Sequence, residues 1–476
     1  MVSQSESPAR LRATYWLALA AVFCAFVALR LYHGGAPLVD DSAWRQVDTA
    51  SEAWFFIHKG LGPLPQLFYN GPGPNYVQLE FPFLPLTVAL LSHVFPFGSW
   101  LLHGVATAYS TLSLLFLWLF VRRVLGPQVA LWAAAVFAVQ PLGIFFGRAF
   151  QPEPAMVAGT MAALWLTARY ADRGGRLNYL LAVAAFTFAV AAKLPASLAS
   201  PAVFLLALRR DRILSPRPWL LLAVPALAAG GYTLWAGTMV SPGYNFVVII
   251  LQLLQHKSYH VGIASVPQFW YHFLLETCIT GAGALPLALG LVAVPPLRRA
   301  SWFWGWAAGL LLWCLVVVRH IRFEYYLVPL LPWLAIAEGA GLEQLVRWCG
   351  GTRLAAFGAA AFVLAGSLLF SLRPLSELYT LDMYSYHAGT ALRAALGPGP
   401  VILGTQSPVV LFYSRHHGWR TNSLTMAQLR TWRAAGAHYY IPVWSKQIPA
   451  VARYVRSHYL KRTAGPVVYY DLRRAP

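Results

Sequence analysis

The sequence predicts a polytopic α-helical membrane protein that ends in a small α/β domain. Composition and one contrast along the chain predict it. Of 476 residues, 58% are hydrophobic and only 11% charged, and mean hydropathy is +0.55. Soluble domains carry about 25% charged residues, so these charges are too few to cover a water-facing surface. The apolar content also excludes a disordered chain. The apolar residues gather in long runs, and these stop near residue 373, where the sequence turns polar and basic.

The first run, Ala13 to Leu31, follows Arg10 and Arg12. It is long enough to cross a ~30 Å hydrocarbon core. A signal peptide would have a shorter apolar region and a small-residue cleavage site, so the run reads as a retained helix with a cytoplasmic N-terminus. Further runs lie near 100–121, 128–147, 155–170, 178–193, 196–208, 217–237, 276–297, 302–318, 324–345 and 354–372. Together they make about eleven spans. Residues 82–95 are apolar too, but Pro82 and Pro85 interrupt them. They are too short for a crossing and read as a juxtamembrane or re-entrant helix.

Arginine sets the orientation. There are 36 Lys and Arg against 16 Asp and Glu, a net charge of +20. If 82–95 does not cross, Arg122/Arg123, Arg169/Arg173/Arg176, Arg209/Arg210/Arg212/Arg217, Arg298/Arg299 and Arg347/Arg353 all share the side of Arg10 and Arg12. Basic loops accumulate in the cytoplasm, so that arrangement is preferred. The expectation is a multi-pass protein of the inner (plasma) membrane whose partner is the lipid bilayer. Loops 32–99, 148–154, 238–275 and 319–323 and everything after Arg373 then lie outside. No basic run interleaved with aromatics forms a nucleic-acid module, so no nucleic acid is expected. The four cysteines make neither a zinc motif nor a disulfide framework.

Two domains follow: residues 1–373, a transmembrane domain with its first outer loop at 32–99, and residues 374–476, extracytoplasmic. In the second, VILG (401–404), HYYIPV (438–443) and PVVYYDL (466–472) have strand character. Stretches near 406–414, 424–435 and 446–458 have helical periodicity.

Scarce acids mark the candidate chemistry. Asp40, Asp41, Asp48 and Glu52 fall within thirteen residues after the first span, Glu80 closes the same outer loop, and Glu153 sits in the next. Ionisable groups beside a membrane core are functional candidates by default. Arg45, Arg148, Lys193, Arg319, His320 and Tyr325 fall on the same predicted face. Carboxylates there can take a proton from an attacking hydroxyl. Cations and phenols can hold a phosphate leaving group.

WRQVDTASEAWFF (44–56), EFPFLPLTVALL (80–91), FGRAFQPEPA (146–155), AKLPA (192–196) and RHIRFEYYLVPLLP (319–332) resemble a GT-C glycosyltransferase. The closest branch is the family 39-like bacterial set, similar to dolichyl-phosphate-mannose protein mannosyltransferases and aminoarabinose transferases. The tail segments GTQSPVVLFYSRHHGW and GAHYYIPV are similar to that branch's outer domain. The resemblance implies transfer of a sugar from a polyprenyl phosphate to a glycan, lipid or protein acceptor on the outer face, usually with inversion. It implies an Asp of the first outer loop as base: Asp41 or Asp40 ahead of Asp48. It places Arg45, Glu80, Arg148, Glu153, Lys193, Arg319, His320 and Tyr325 around substrate and phosphate. Some relatives hold a divalent metal ion at carboxylates corresponding to Glu80 and Glu153 and others need none; many members have Asp where this chain has Glu153.

Two other classes share parts of this pattern. A lipid-linked glycan ligase or polymerase would use the same outer cavity. A lipid-sugar transporter would show internal repeats, and none is visible.

Overall fold

The computed structural model of the chain describes residues 8–62, 64–240, 297–314, 324–350, 352–443 and 447–474. The expected span near 276–297 and the loop 238–275 lie almost wholly outside them, as do Arg319, His320 and Arg322. The chain divides into two compact units. One is Met1–Gly34, His103–Leu234 and Ile250–Glu377; the other is Gly35–Leu102, Trp235–Ile249 and Leu378–Pro476. The first outer loop and the tail, far apart in sequence, thus fall in the same unit.

The first unit is helical. It contains α1 (Pro8–Leu31), most of α4 (Ser99–Val124), α5 (Pro127–Val139), α6 (Pro141–Arg148), α7 (Glu153–Arg173), α8 (Arg176–Ala192), α9 (Ser200–Ala207) and most of α10 (Pro216–Thr238). After the undescribed residues come α11 (Ser301–Trp313), α12 (Leu331–Trp348) and α13 (Arg353–Leu378). Four helical stretches among the described residues are long and apolar enough to cross a membrane: Arg12–Leu31, Ser99–Val124, Pro216–Thr238 and Glu324–Trp348. The pair α5 and α6 makes a fifth if counted as one broken span.

That pair departs from the single span expected over 128–147. It bends by 69°. Gln140 takes an extended conformation (ψ 122°) and Pro141 opens the next helix. Proline disfavours helical geometry in the residue before it and has no N–H to give. Lys193 is a second break. It is extended (φ −166°, ψ 134°) between α8 and the 3-10 turn Leu194–Ala199.

At the far ends of these helices the basic loops meet. Asp172, at the end of α7, receives Arg123 from α4 at 2.8 Å and Arg209, just past α9, at 3.1 Å. Tyr170 donates to Asp211 at 2.8 Å. The three basic loops therefore share one end of the unit. Glu153 lies at the opposite end of α7, about 30 Å away at 1.5 Å per residue.

The second unit holds α2 (Ala43–Lys59), α3 (Phe83–Leu91), α14 (Met383–Ala395) and a five-stranded sheet. The nine-residue α3 is too short to span a membrane. The strands are β1 (Val401–Leu403), β2 (Gly418–Arg420), β3 (Tyr439–Ile441), β4 (Leu460–Ala464) and β5 (Val467–Asp471), ordered β2-β1-β3-β5-β4. β1 runs parallel to β2 and β3, while β5 is antiparallel to β3 and β4. Parallel neighbours need crossovers, supplied by α15 (Val409–Ser414) and α16 (Met426–Ala434). Leu424, Leu429, Val451 and Val455 pack α16 and α17 (Pro449–His458) on the core residues Ile402, Tyr440 and Tyr470.

The first loop completes this unit. Gly418 N donates to Phe68 O and Gly71 N donates to Gly418 O, both at 3.0 Å. A Cβ on Gly418 would stand 2.9 Å from the Val401 carbonyl carbon, so only glycine fits there. Asp382 N donates to Val39 O at 2.8 Å and Leu38 N to the Tyr413 hydroxyl at 2.6 Å.

Candidate active site

In the helical unit the ends of α6, α7 and α8 deliver the polar groups. Glu153 opens α7, where a carboxylate suits the positive end of the helix. Lys193 ends α8 and forms an ion pair with Glu153 Oε1. Both residues are buried. The Lys193 ammonium also lies 4.8 Å from the Tyr325 ring centroid and 5.9 Å from that of Tyr326. Glu153 Oε2 accepts no hydrogen bond among the described residues.

Arg148, the last residue of α6, is fully buried. Its Nη1 donates to His103 Nε2 at 3.4 Å. His103 Nδ1 sits 2.9 Å from Gly34 O, so Nδ1 carries the proton and Nε2 accepts. Arg148 is thus held by a neutral imidazole.

Arg30 is the residue here that sequence reasoning missed. It is 1% exposed at the end of α1. Its Nη1 donates to Ala138 O at 3.1 Å and its Nη2 to Phe137 O at 3.4 Å. In an unbroken helix the N–H of residue 141 would satisfy Phe137 O; Pro141 has none, and Arg30 replaces it. Ser110 does the same for α6, donating to Gly147 O at 2.7 Å. Arg30, Ser110 and Glu153 line one small cavity of about 20 Å³. The only signal was an arginine in the last turn of an apolar run, a place where interfacial snorkelling is the ordinary reading.

In the second unit, Arg45, Asp48 and Glu52 stand at i, i+3 and i+7 on α2, one face of the helix. Arg45 forms an ion pair with Glu80. Asp48 is buried and accepts from the Tyr69 hydroxyl at 2.8 Å. Burial pushes its carboxyl up to about 6, against the opposing pull of Arg45, Arg420, Tyr69 and Trp44. Burial raises Glu52 well above the usual carboxylate range, and Arg45 offsets this in part. Arg420 arrives from β2. Its guanidinium lies 3.5 Å from the Tyr69 ring centroid and 4.6 Å from that of Trp44. Nothing in the sequence joins Arg420 to α2, because the join runs through the sheet.

The three candidate bases differ in circumstance. Asp40 is buried and accepts from Gln46 Nε2 at 2.5 Å. Asp48 is buried under Tyr69. Asp41 is exposed at the start of α2, with its backbone N–H on Leu378 O at 3.3 Å; partial burial of the carboxyl moves its pKa upward. The structure thus brings together Glu153, Lys193 and Tyr325 in one unit, and Arg45, Glu80 and Asp48 in the other.

The two carboxylates considered for a metal each hold a side-chain cation, Glu80 with Arg45 and Glu153 with Lys193. Among the described residues no three His, Cys, Asp or Glu side chains gather as a metal site. Among the described residues this donor set does not fit a divalent ion.

Residues 80–235 match the model of the dolichyl-phosphate-mannose-protein mannosyltransferase family. Among solved structures, ArnT from Cupriavidus metallidurans bound to undecaprenyl phosphate is similar at TM-score 0.68 and 14% identity, covering 98% of each chain. The apo state of ArnT from that organism gives 0.69 at 14% identity, over 96% of this chain and 98% of that one. The Archaeoglobus fulgidus oligosaccharyltransferase in complex with Zn and sulfate gives 0.62 at 14%, over 95% of this chain and 73% of that one. No curated protein sequence matches the chain. Identities this low speak for fold: the chain resembles the GT-C glycosyltransferases and has their fold.

Proposed function

We propose that this chain, folded as GT-C glycosyltransferases are, moves a sugar from a polyprenyl phosphate to an acceptor hydroxyl on the outer face of the plasma membrane, with inversion. The observation that carries the reading is the likeness over nearly the whole chain to a protein holding undecaprenyl phosphate. The sharing of one end by the basic loops supports a cytoplasmic location for that end. The N-terminus of α1 then lies in the cytoplasm, and Glu153 and Lys193 lie toward the outer face.

Asp41 is the base in this reading. Asp40 and Asp48 are engaged with Gln46 and Tyr69, whereas Asp41 is exposed and its raised pKa makes it a better proton acceptor. The acceptor oxygen attacks the anomeric carbon and its proton passes to the Asp41 carboxylate. The bond from that carbon to the phosphate oxygen breaks, and its electron pair leaves with the polyprenyl phosphate. Phosphate is a stable leaving group, so no general acid is required. Arg148, Lys193 and Tyr325 are the described groups proposed to hold it.

The test is turnover by the purified chain in nanodiscs with a polyprenyl-phosphate sugar and surface glycan acceptors. Mass spectrometry should find free polyprenyl phosphate and an acceptor heavier by one sugar. Intact donor after long incubation with every acceptor would remove the proposal.

A further inference from the structure

Trp44 is held more firmly than an exposed side chain needs. It lies on the first turn of α2, three residues after Asp41, and is 45% exposed. The Arg420 guanidinium lies against its ring, at 4.6 Å from the centroid. Its indole N–H stands beside the Asp48 carboxylate and the Tyr69 hydroxyl, themselves joined at 2.8 Å. Arg420 is fixed in turn by the Tyr69 ring at 3.5 Å and by donation to Gln406 O. A bilayer anchor needs none of this, because an indole at an interface is held by the lipid. A flat aromatic surface fixed in this way, three residues along the chain from the proposed base, fits a ring-shaped ligand with an apolar face of C–H groups.

We infer that Trp44 is a stacking platform for the sugar ring of the donor, and that Arg420 of the tail is the positioning residue that keeps the indole in place. The inference rests on the proposed transferase reading and names the surface that recognises the sugar. Arg420 acts through its planar guanidinium, which lies flat on an aromatic ring where an ammonium does not.

The experiment uses the full chain in nanodiscs and two probes, a polyprenyl phosphate and the same lipid bearing its sugar. Wild-type protein should prefer the sugar-bearing lipid. W44A should lose about tenfold of that preference, the scale of one aromatic stacking contact, with affinity for the sugar-free lipid unchanged. W44F should keep most of the preference. R420A should lose part of it and R420K as much as R420A, both melting near the wild type. A W44A protein that raises only the acceptor KM would move the platform to the acceptor's sugar and overturn the donor assignment. Wild type that transfers sugar while W44A matches it in every reading leaves Trp44 an interface anchor and sinks the platform alone. Wild type that neither transfers nor discriminates between the lipids sinks the transferase reading and the platform with it.

Discussion

Lys193 and Glu153 form a buried ion pair between two helix ends, the C-terminal end of α8 and the first residue of α7. A buried pair is worth little against a well-packed apolar substitute, but losing one partner strands the other charge. Lys193→Ala should therefore lower stability by about 3–5 kcal/mol, read as a fall in melting temperature by scanning fluorimetry. The double variant K193M/E153Q should recover most of that loss. A double variant no better than the single one would mean that the pair holds the two helix ends together by more than charge.

The three first-loop aspartates should separate by assay. Asp41→Asn should stay folded and lose transfer by at least a hundredfold, the lower range for general-base catalysis. Asp40→Asn should weaken the Gln46 contact and melt lower by the equivalent of about 1 kcal/mol. Transfer at the wild-type rate by Asp41→Asn would return the base to Asp40 or Asp48.

Asp48 sets a pH dependence. Its carboxyl is raised from 3.8 to about 6 in the folded chain. The folded state therefore holds the proton more tightly, and stability from this group falls as pH rises from about 4 to above 6. Asp48→Asn removes that loss. Its melting temperature should match the wild type near pH 4 and exceed it at pH 8, by a difference of at most about 3 kcal/mol. A constant gap across the range would show that Asp48 titrates normally.

Arg30 and Pro141 should be coupled. Arg30→Met leaves Phe137 O and Ala138 O short of donors and should destabilise by about 2–3 kcal/mol. Pro141→Ala restores the N–H that proline lacks. In a double-mutant cycle Arg30→Met should therefore do less damage in the Pro141→Ala background. Strictly additive losses would show that Arg30 serves the break in some other way.

Much of this was legible in the sequence because its signals are local. The helices follow apolar runs, and β1, β3 and β5 follow VILG, HYYIPV and PVVYYDL. The bend at Gln140 was hidden because Pro141 interrupts the run without making it polar. β2 and β4 were missed because GWR and LKRTA carry few strand formers; β2 exists through its pairing with Val401–Leu403 and the Phe68–Gly71 backbone. The acids around α2 stood out by rarity. Arg420 and Tyr69, which share their environment, did not, because only the folded sheet carries Arg420 to α2.

The backbone joins at Gly418 bear on how such chains can be recombined. A tail that looks like a detachable cassette is stitched by its edge strand into the segment carrying Asp41. Grafting a relative's tail onto this membrane region would replace that stitching with a mismatched seam, so chimeras should be cut to exchange 35–102 and 378–476 as one piece.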